Sequence, residues 1–235
     1  MNDMNINRYF FSEVFWRIVF SNGSPIIEGV KSRLASEHLN FESLRSKADY
    51  NTGSISIAAA VCLALLSHYF RPTLIAEVGT FIGRSTFSLI LGGRMSGYSG
   101  AMIHTCDMSN SIDLSSFEFR DQVVQYQKKS STEMFSQLRS RSLSPEMYVI
   151  DGRLQKDDLP LLQKLRAENA IIVLDDFEGY EKGVVNADRL LETFKDNFLL
   201  SYPISSSHLA LHNLNDFSTV AVLIPRSRLR FVNQG

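Results

Sequence analysis

The sequence predicts an α/β fold: a mostly parallel sheet with helices on both faces, a helical N-terminal extension and an antiparallel C-terminal strand pair. Three observations carry this expectation. From residue 73 onward, short apolar runs of strand length alternate with segments of helical pattern, as strand–helix–strand units require. The first run, "TLIAEVG", is nearly continuous in its apolar character, as in a parallel strand buried on both faces. The last two runs, "FLLSYPI" and "STVAVLIP", follow one another closely enough to pair antiparallel.

The elements follow in order. Residues 1–50 read as a helical extension, and residues 51–235 as the main domain. "RYFFSEVFWRIVF", residues 8–20, is aromatic or aliphatic at most positions. It predicts a helix packed on the main domain, a lid over an active site, or a homodimer contact. Few basic residues lie on its polar face, which disfavours a membrane-surface helix. "SNGSP" is expected to break this helix, and a second follows with Ile27, Val30, Leu34 and Leu39 at helical spacing. "NTGS" reads as a turn or cap before a buried helix ending near Phe70.

Strand "TLIAEVG" then leads into helix "GRSTFSLILGGRM", and "AMIHTCD" is a second strand ending in an acid. "QVVQYQ" is a third, followed by helix "STEMFSQLRSR". "EMYVID" and "AIIVLDD" are the fourth and fifth, with helix "DLPLLQKLRA" between them and "NADRLLETFKD" after. Neither an internal repeat nor a low-complexity segment interrupts the series.

Composition narrows the function. At 235 residues the chain is long enough to bury a sizeable core. It is 44% hydrophobic and 21% charged, as globular chains are. A net charge of −1 gives no bulk attraction to nucleic acid or to an anionic membrane. The two cysteines, Cys62 and Cys106, sit in apolar contexts, which suits two buried thiols in a reducing compartment. "MNDMNINRYFF" lacks the order of a signal peptide, and the apolar stretch Ile55 to Leu66 is too short to span a bilayer. A cytoplasmic location is the expectation.

The glycine turn after the first strand is the focus. In open α/β sheets, ligands bind beyond the carboxyl ends of the strands. Gly79 and Gly83 fall at that edge, where glycine lets backbone amides approach a ligand. The next helix offers its N-terminal amides to a carboxylate or phosphate. The spacing is G-x-x-x-G, unlike the dinucleotide fingerprint or the phosphate-binding loop. A nicotinamide-dependent oxidoreductase is disfavoured on that ground, and plain turn packing remains the simplest alternative.

"EVGTFIGRST" resembles the first motif of class I S-adenosylmethionine-dependent methyltransferases, in the form of the catechol O-methyltransferase-like branch. "NTGSIS" resembles the segment that closes over the methionine end of the cofactor, and "KSSTEMFSQL" the segment along the adenine. "VIDG" and "VLDDF" match the ends of strands four and five. The resemblance spans roughly residues 50–225 and implies a Rossmann-like sheet of seven strands. It implies S-adenosyl-L-methionine as cofactor and O-methylation of a small hydroxylated acceptor, whether sugar, phenol or natural product. It further implies that Glu77 holds the methionine ammonium, directly or through water. Gly79, Thr80, Phe81, Gly83 and Ser85 would surround the methionyl part, Asp107 the ribose hydroxyls, Ser131 and Thr132 the adenine, and Asp151 the inner wall. Helix capping is the alternative for Ser131 and Thr132.

Asp151 and Asp176 end strands expected to be neighbours, and neighbouring strands lie about 4.8 Å apart. Carboxylates that close repel unless a cation or a shared proton intervenes. Asp151, Asp175 and Asp176 are therefore a candidate oxygen-ligand site for Mg²⁺, and the resemblance makes Asp151 and Asp176 metal ligands. Two positions depart from the family pattern. Phe177 stands where the family has a third ligand, an asparagine, and Leu154 where it has a general-base lysine. Lys156 or Lys182 would have to serve instead, and the expected catalytic group is Asp151, Asp176 and Lys182. Tyr180, Glu181 and Lys182 are candidates to face the acceptor. His208 and His212, spaced i, i+4, make a weak metal pair, and His104 reads as core or as packing beside a ligand. No serine has a hydrolase nucleophile context. A domain of this fold without turnover, serving as a binding module, remains the alternative to an enzyme.

Overall fold

In a computed structural model that describes residues 3–49, 54–98, 101–108, 112–177, 180–201, 214 and 220–229, the apolar runs form one sheet. Its strands are β1 (Leu74–Val78), β2 (Met102–Asp107), β3 (Val123–Gln127), β4 (Met147–Ile150), β5 (Ile171–Leu174), β6 (Asn197–Ser201) and β7 (Ala221–Pro225). The order across the sheet is β3-β2-β1-β4-β5-β7-β6. The first five strands pair in parallel, and β7 runs antiparallel to both β5 and β6. The expected mostly parallel, seven-stranded architecture with an antiparallel C-terminal pair is thus the one observed.

The chain winds outward from β1 through β2 to β3, then returns to β4 on the other side of β1. A crevice opens at such a reversal, beyond the carboxyl ends of the two central strands. Register sets what faces it. Val78 aligns with Cys106 on one side and with Ile150 on the other, and Ile150 aligns with Leu174. The next residues along these strands, Gly79, Asp107, Asp151 and Asp175, therefore emerge together at one edge.

Side-chain alternation along the strands divides the core into two layers. Ile75, Ile103 and Val149 face the layer built from α1 (Asp3–Ser36), α3 (Ile57–Phe70) and α4 (Arg84–Met95). Ala76, Val78, Tyr148 and Ile150 face α5 (Ser131–Ser140), α6 (Asp158–Leu165) and α7 (Val185–Thr193). Helix α3 is apolar all round and buried at ten of its positions from Ala58 to Ser67, as a helix between a sheet and a second helix must be. Ser56 caps its first turn by accepting from the Ala59 amide at 3.0 Å. Residues 51–53, the front of the expected "NTGSIS" segment, lie outside the described residues.

The expected break at "SNGSP" is absent: α1 runs unbroken through Pro25. The reason is tertiary packing. Phe15, Val19, Ile26, Val30 and Leu34 form one buried stripe on the helix, and Gly23 lies on the same stripe. A Cβ at Gly23 would overlap the Leu65 side chain of α3. The glycine permits a close helix–helix approach, and burial there outweighs the helix-breaking tendency of Gly and Pro. The chain turns instead at Glu37, and the short α2 (His38–Arg45) buries Phe41 and Leu44. Leu39, expected on the apolar face, is 79% exposed.

Phe15, Trp16 and Phe20 are buried within this chain's own core. Ser12 Oγ and Trp16 Nε1 both donate to the Ser201 carbonyl at the end of β6, at 2.5 and 3.1 Å. These aromatic groups join the extension to the sheet. Among the described residues no helix is long and apolar enough to cross a membrane.

Candidate active site

The turn after β1 is held from below. The amides of Gly79 and Thr80 both donate to the Cys106 carbonyl, at 2.9 and 3.3 Å, and the Gly83 amide donates to the Thr80 carbonyl at 2.8 Å. This winding needs left-handed backbone at Gly79 (φ 103°), Phe81 (φ 42°) and Gly83 (φ 77°). A Cβ at Gly79 would stand 3.2 Å from the Asp151 backbone and Cβ. Glycine is required there by conformation and by space. Gly83 is the N-cap of α4.

Beneath the turn lies a buried polar cluster. Glu77 is fully buried, and its Oε2 accepts from Thr86 Oγ1 at 2.5 Å. Thr80 and Thr105 share a hydrogen bond of 2.6 Å between their hydroxyls. Burial pushes the Glu77 carboxyl above its ordinary range, and the hydroxyls of Ser85, Thr86 and Thr105 offset part of that rise. By hydrogen-bond geometry its Oε1 has no partner among the described residues, although Ser85 and Thr105 lie near. Glu77, Thr80 and Ser85 thus support the turn from inside.

Above the turn is a cavity of about 920 Å³. Gly79, Phe81, Asp107, Ser131, Asp151, Asp175, Asp176 and Lys182 all line it. Glu77, Thr80, Gly83, Ser85 and Thr132 are not on its wall. Asp107 is held in place because the Phe81 amide donates to its Oδ2 at 2.9 Å. Ser131 and Thr132 donate their hydroxyl protons to one carboxylate, Asp158, at 2.6 and 2.7 Å. Ser130 caps α5, completing a reciprocal box with Glu133, so capping is not the work of the next two residues.

Asp158 was invisible in the sequence. It is completely buried, and it also accepts from the Gln155 amide at 2.7 Å, tying the start of α6 to the start of α5. An acid opening a helix reads as a routine helix start, and nothing local shows that its partners lie 26 and 27 residues away. Ile55, Met108, Lys129, Arg153 and Gln155 also line the cavity without having been singled out.

At the far end the carboxylates meet a lysine. Lys182 Nζ donates to Asp176 Oδ2 at 3.0 Å and lies 3.4 Å from Asp151 Oδ1. Burial and the neighbouring Asp175 push the Asp151 carboxyl well above its usual range, with Lys182 opposing the rise. For Lys182, partial burial alone would pull the ammonium down, but the charges of Asp151 and Asp176 outweigh it and the net shift is upward. Asp176 has left-handed backbone (φ 50°). Gly183 lets the short wide-turned helix Tyr180–Val184 press on it, since a Cβ there would overlap Phe177 Cα and the Asp176 carbonyl. This tight fit places Lys182 over the acids.

The two family departures have clear locations. Phe177 packs against the core layer under α5 to α7, and Leu154 is buried there. Lys156 is exposed and off the cavity wall, so of the two candidate lysines only Lys182 reaches the acids. Among the described residues no group of three His, Cys, Asp or Glu is arranged to hold a metal ion. Within the expected set Asp151, Asp175 and Asp176, Lys182 bridges the outer members. His104 is buried and shares a 2.8 Å hydrogen bond with the Tyr126 hydroxyl, as a core histidine. His208 and His212, and the side chains of Tyr180 and Glu181, lie outside the described residues.

No protein-family model and no curated protein matches this chain. Solved structures do. The O-methyltransferase TomG from Streptomyces achromogenes, involved in tomaymycin synthesis and solved with SAM, is 19% identical with a TM-score of 0.54, covering 83% of this chain and 88% of that one. An O-methyltransferase from Bacillus cereus solved with SAH is 16% identical with a TM-score of 0.53, covering 84% and 90%. The SAH-bound methyltransferase PaMTH1 of Podospora anserina is 15% identical with a TM-score of 0.54, covering 82% and 87%. The chain shares the fold of these methyltransferases.

Proposed function

Proceeding from that shared fold, we propose that this chain is an S-adenosylmethionine-dependent methyltransferase acting on a hydroxyl of a small molecule. One observation carries the reading: the Gly79 turn, the Asp107 carboxylate and the Asp151 carboxylate converge on the wall of a single cavity of about 920 Å³. The residues present fit the cofactor. Gly79 keeps clear the space a Cβ would fill, and the fully buried Glu77 carboxyl lies beneath the turn, where it would attract an ammonium. Cys62 and Cys106, both buried and not joined in a disulfide, support a reducing, cytoplasmic setting.

When bound, the cofactor supplies a methyl group on a sulfonium, and transfer is an in-line displacement: the acceptor oxygen gains the methyl, the carbon–sulfur pair stays on sulfur, and the acceptor proton departs. The protein's part is alignment. Asp107, fixed by the Phe81 amide, would accept from the two ribose hydroxyls. Ser131 directs its hydroxyl hydrogen to Asp158, so it would meet the adenine with lone pairs, suited to an amino group. Asp151, Asp176 and Lys182 face the acceptor, and the carboxylates orient its hydroxyl and take its proton.

Thermal shift with S-adenosylmethionine, S-adenosylhomocysteine and NAD tests the cofactor. The two adenosyl sulfur compounds are expected to stabilise the chain, and stabilisation by NAD alone would reverse the reading. Each charge-assisted hydrogen bond from Asp107 is worth about 1.5–3 kcal/mol. Asp107→Ala should therefore weaken S-adenosylhomocysteine by roughly tenfold or more in calorimetry, with the fold intact by circular dichroism. Labelled-methyl transfer across hydroxylated acceptors then identifies the substrate class.

A further inference from the structure

We propose that the Lys182 ammonium is the resident counter-ion of the Asp151–Asp176 carboxylate pair, so that this site neither needs nor admits a divalent metal. Two acids at the ends of adjacent strands β4 and β5 must be kept from repelling, by a cation or a shared proton. Here the cation is covalent. Lys182 Nζ lies 3.0 Å from Asp176 Oδ2 and 3.4 Å from Asp151 Oδ1, which is hydrogen-bond reach to both.

The arrangement is built into the backbone. Asp176 adopts left-handed conformation at the end of β5, a state Asp tolerates better than most residues. Gly183, beside the lysine, is the residue whose missing Cβ lets the Tyr180–Val184 turn rest on Phe177 and Asp176. A side chain at residue 183 would lift Lys182 away from the acids. Both unusual backbone features therefore serve the same contact.

Beside the bridged pair, Asp175 is a further acid on the cavity wall. Mg²⁺ demands near-octahedral oxygen coordination at about 2.0–2.1 Å. An ion bridging Asp151 and Asp176 would compete with the ammonium for the same oxygens and meet its like charge. The position after Asp176, where a further oxygen ligand would help, is Phe177, and its ring is turned into the core.

The test reads metal binding itself, so it stands whether or not the chain transfers methyl groups. Mn²⁺ is titrated into the purified full chain and free ion is followed by electron paramagnetic resonance. Wild type and Lys182→Arg are expected to leave the signal as in buffer. Lys182→Met is expected to bind Mn²⁺ stoichiometrically, at least about tenfold more tightly than wild type, and Asp176→Ala on top of it should abolish the gain. Lys182→Gln replaces Lys182→Met should the latter unfold. Saturable Mn²⁺ binding by wild type that Asp176→Ala removes would overturn the proposal. So would a folded Lys182→Met or Lys182→Gln that gains none, since the lysine would then be blocking no cation site.

Discussion

Single residues in this site carry two kinds of demand, conformational and electrostatic. Glu77 shows the second. Its carboxyl is buried with one oxygen satisfied by Thr86, and desolvation raises it above the ordinary value near 4.5. A carboxyl raised in the folded state favours folding fully at pH below its unfolded value, and that contribution fades as pH rises through the folded value. In the absence of ligand, wild type should lose stability between acid and neutral pH relative to Glu77→Gln, measured by urea denaturation at pH 4 and pH 7. Equal slopes would show that Glu77 titrates as an exposed acid does. The sequence showed Glu77, Gly79 and Asp107 because each sits at a strand end, where local pattern and position coincide. It could not show Asp158, Gly183 or the Lys182 bridge, because each depends on loops meeting across the sheet edge. Lys156 and Lys182 were indistinguishable by spacing, and only the turn geometry at Gly183 separates them.

At the level of elements, the seven strands and the α-helices of the main domain were legible, because a parallel sheet buried on both faces writes continuous apolar runs; the short helix Tyr180–Val184 was not. The error lay in α1, where "SNGSP" signals a break that packing overrides. Glycines in helices here mark close approach. A Cβ on Gly92 of α4 would overlap the Ala64 carbonyl of α3. Gly92→Ala should therefore push α3 and α4 apart and destabilise the chain by about 3 kcal/mol, at the upper end of overpacking costs. Gly97 is the control: its φ is 70° but nothing lies within 4 Å of the added carbon. Gly97→Ala should cost only about 1 kcal/mol, the expense of left-handed backbone. Chemical denaturation of the two variants side by side checks the contrast, and equal losses would mean that strain outweighs the interhelical contact.

Over the whole molecule, the extension and the sheet share one core. Phe15 is fully buried among residues of that layer and stacks on Phe70 at 6.2 Å between ring centroids. Phe15→Ala should cost about 3–5 kcal/mol and lower the single cooperative transition of the entire chain. A separate early transition, leaving the sheet's melting unmoved, would show that the extension unfolds by itself. The same union has a temporal side. Trp16 meets its acceptor in β6 only after 185 further residues have been made. At about 5–20 residues per second, the ribosome needs on the order of ten to forty seconds to deliver that strand. For that interval the newborn helix can rest on α3 but not on β6, so part of its greasy flank stays uncovered until the last strands emerge.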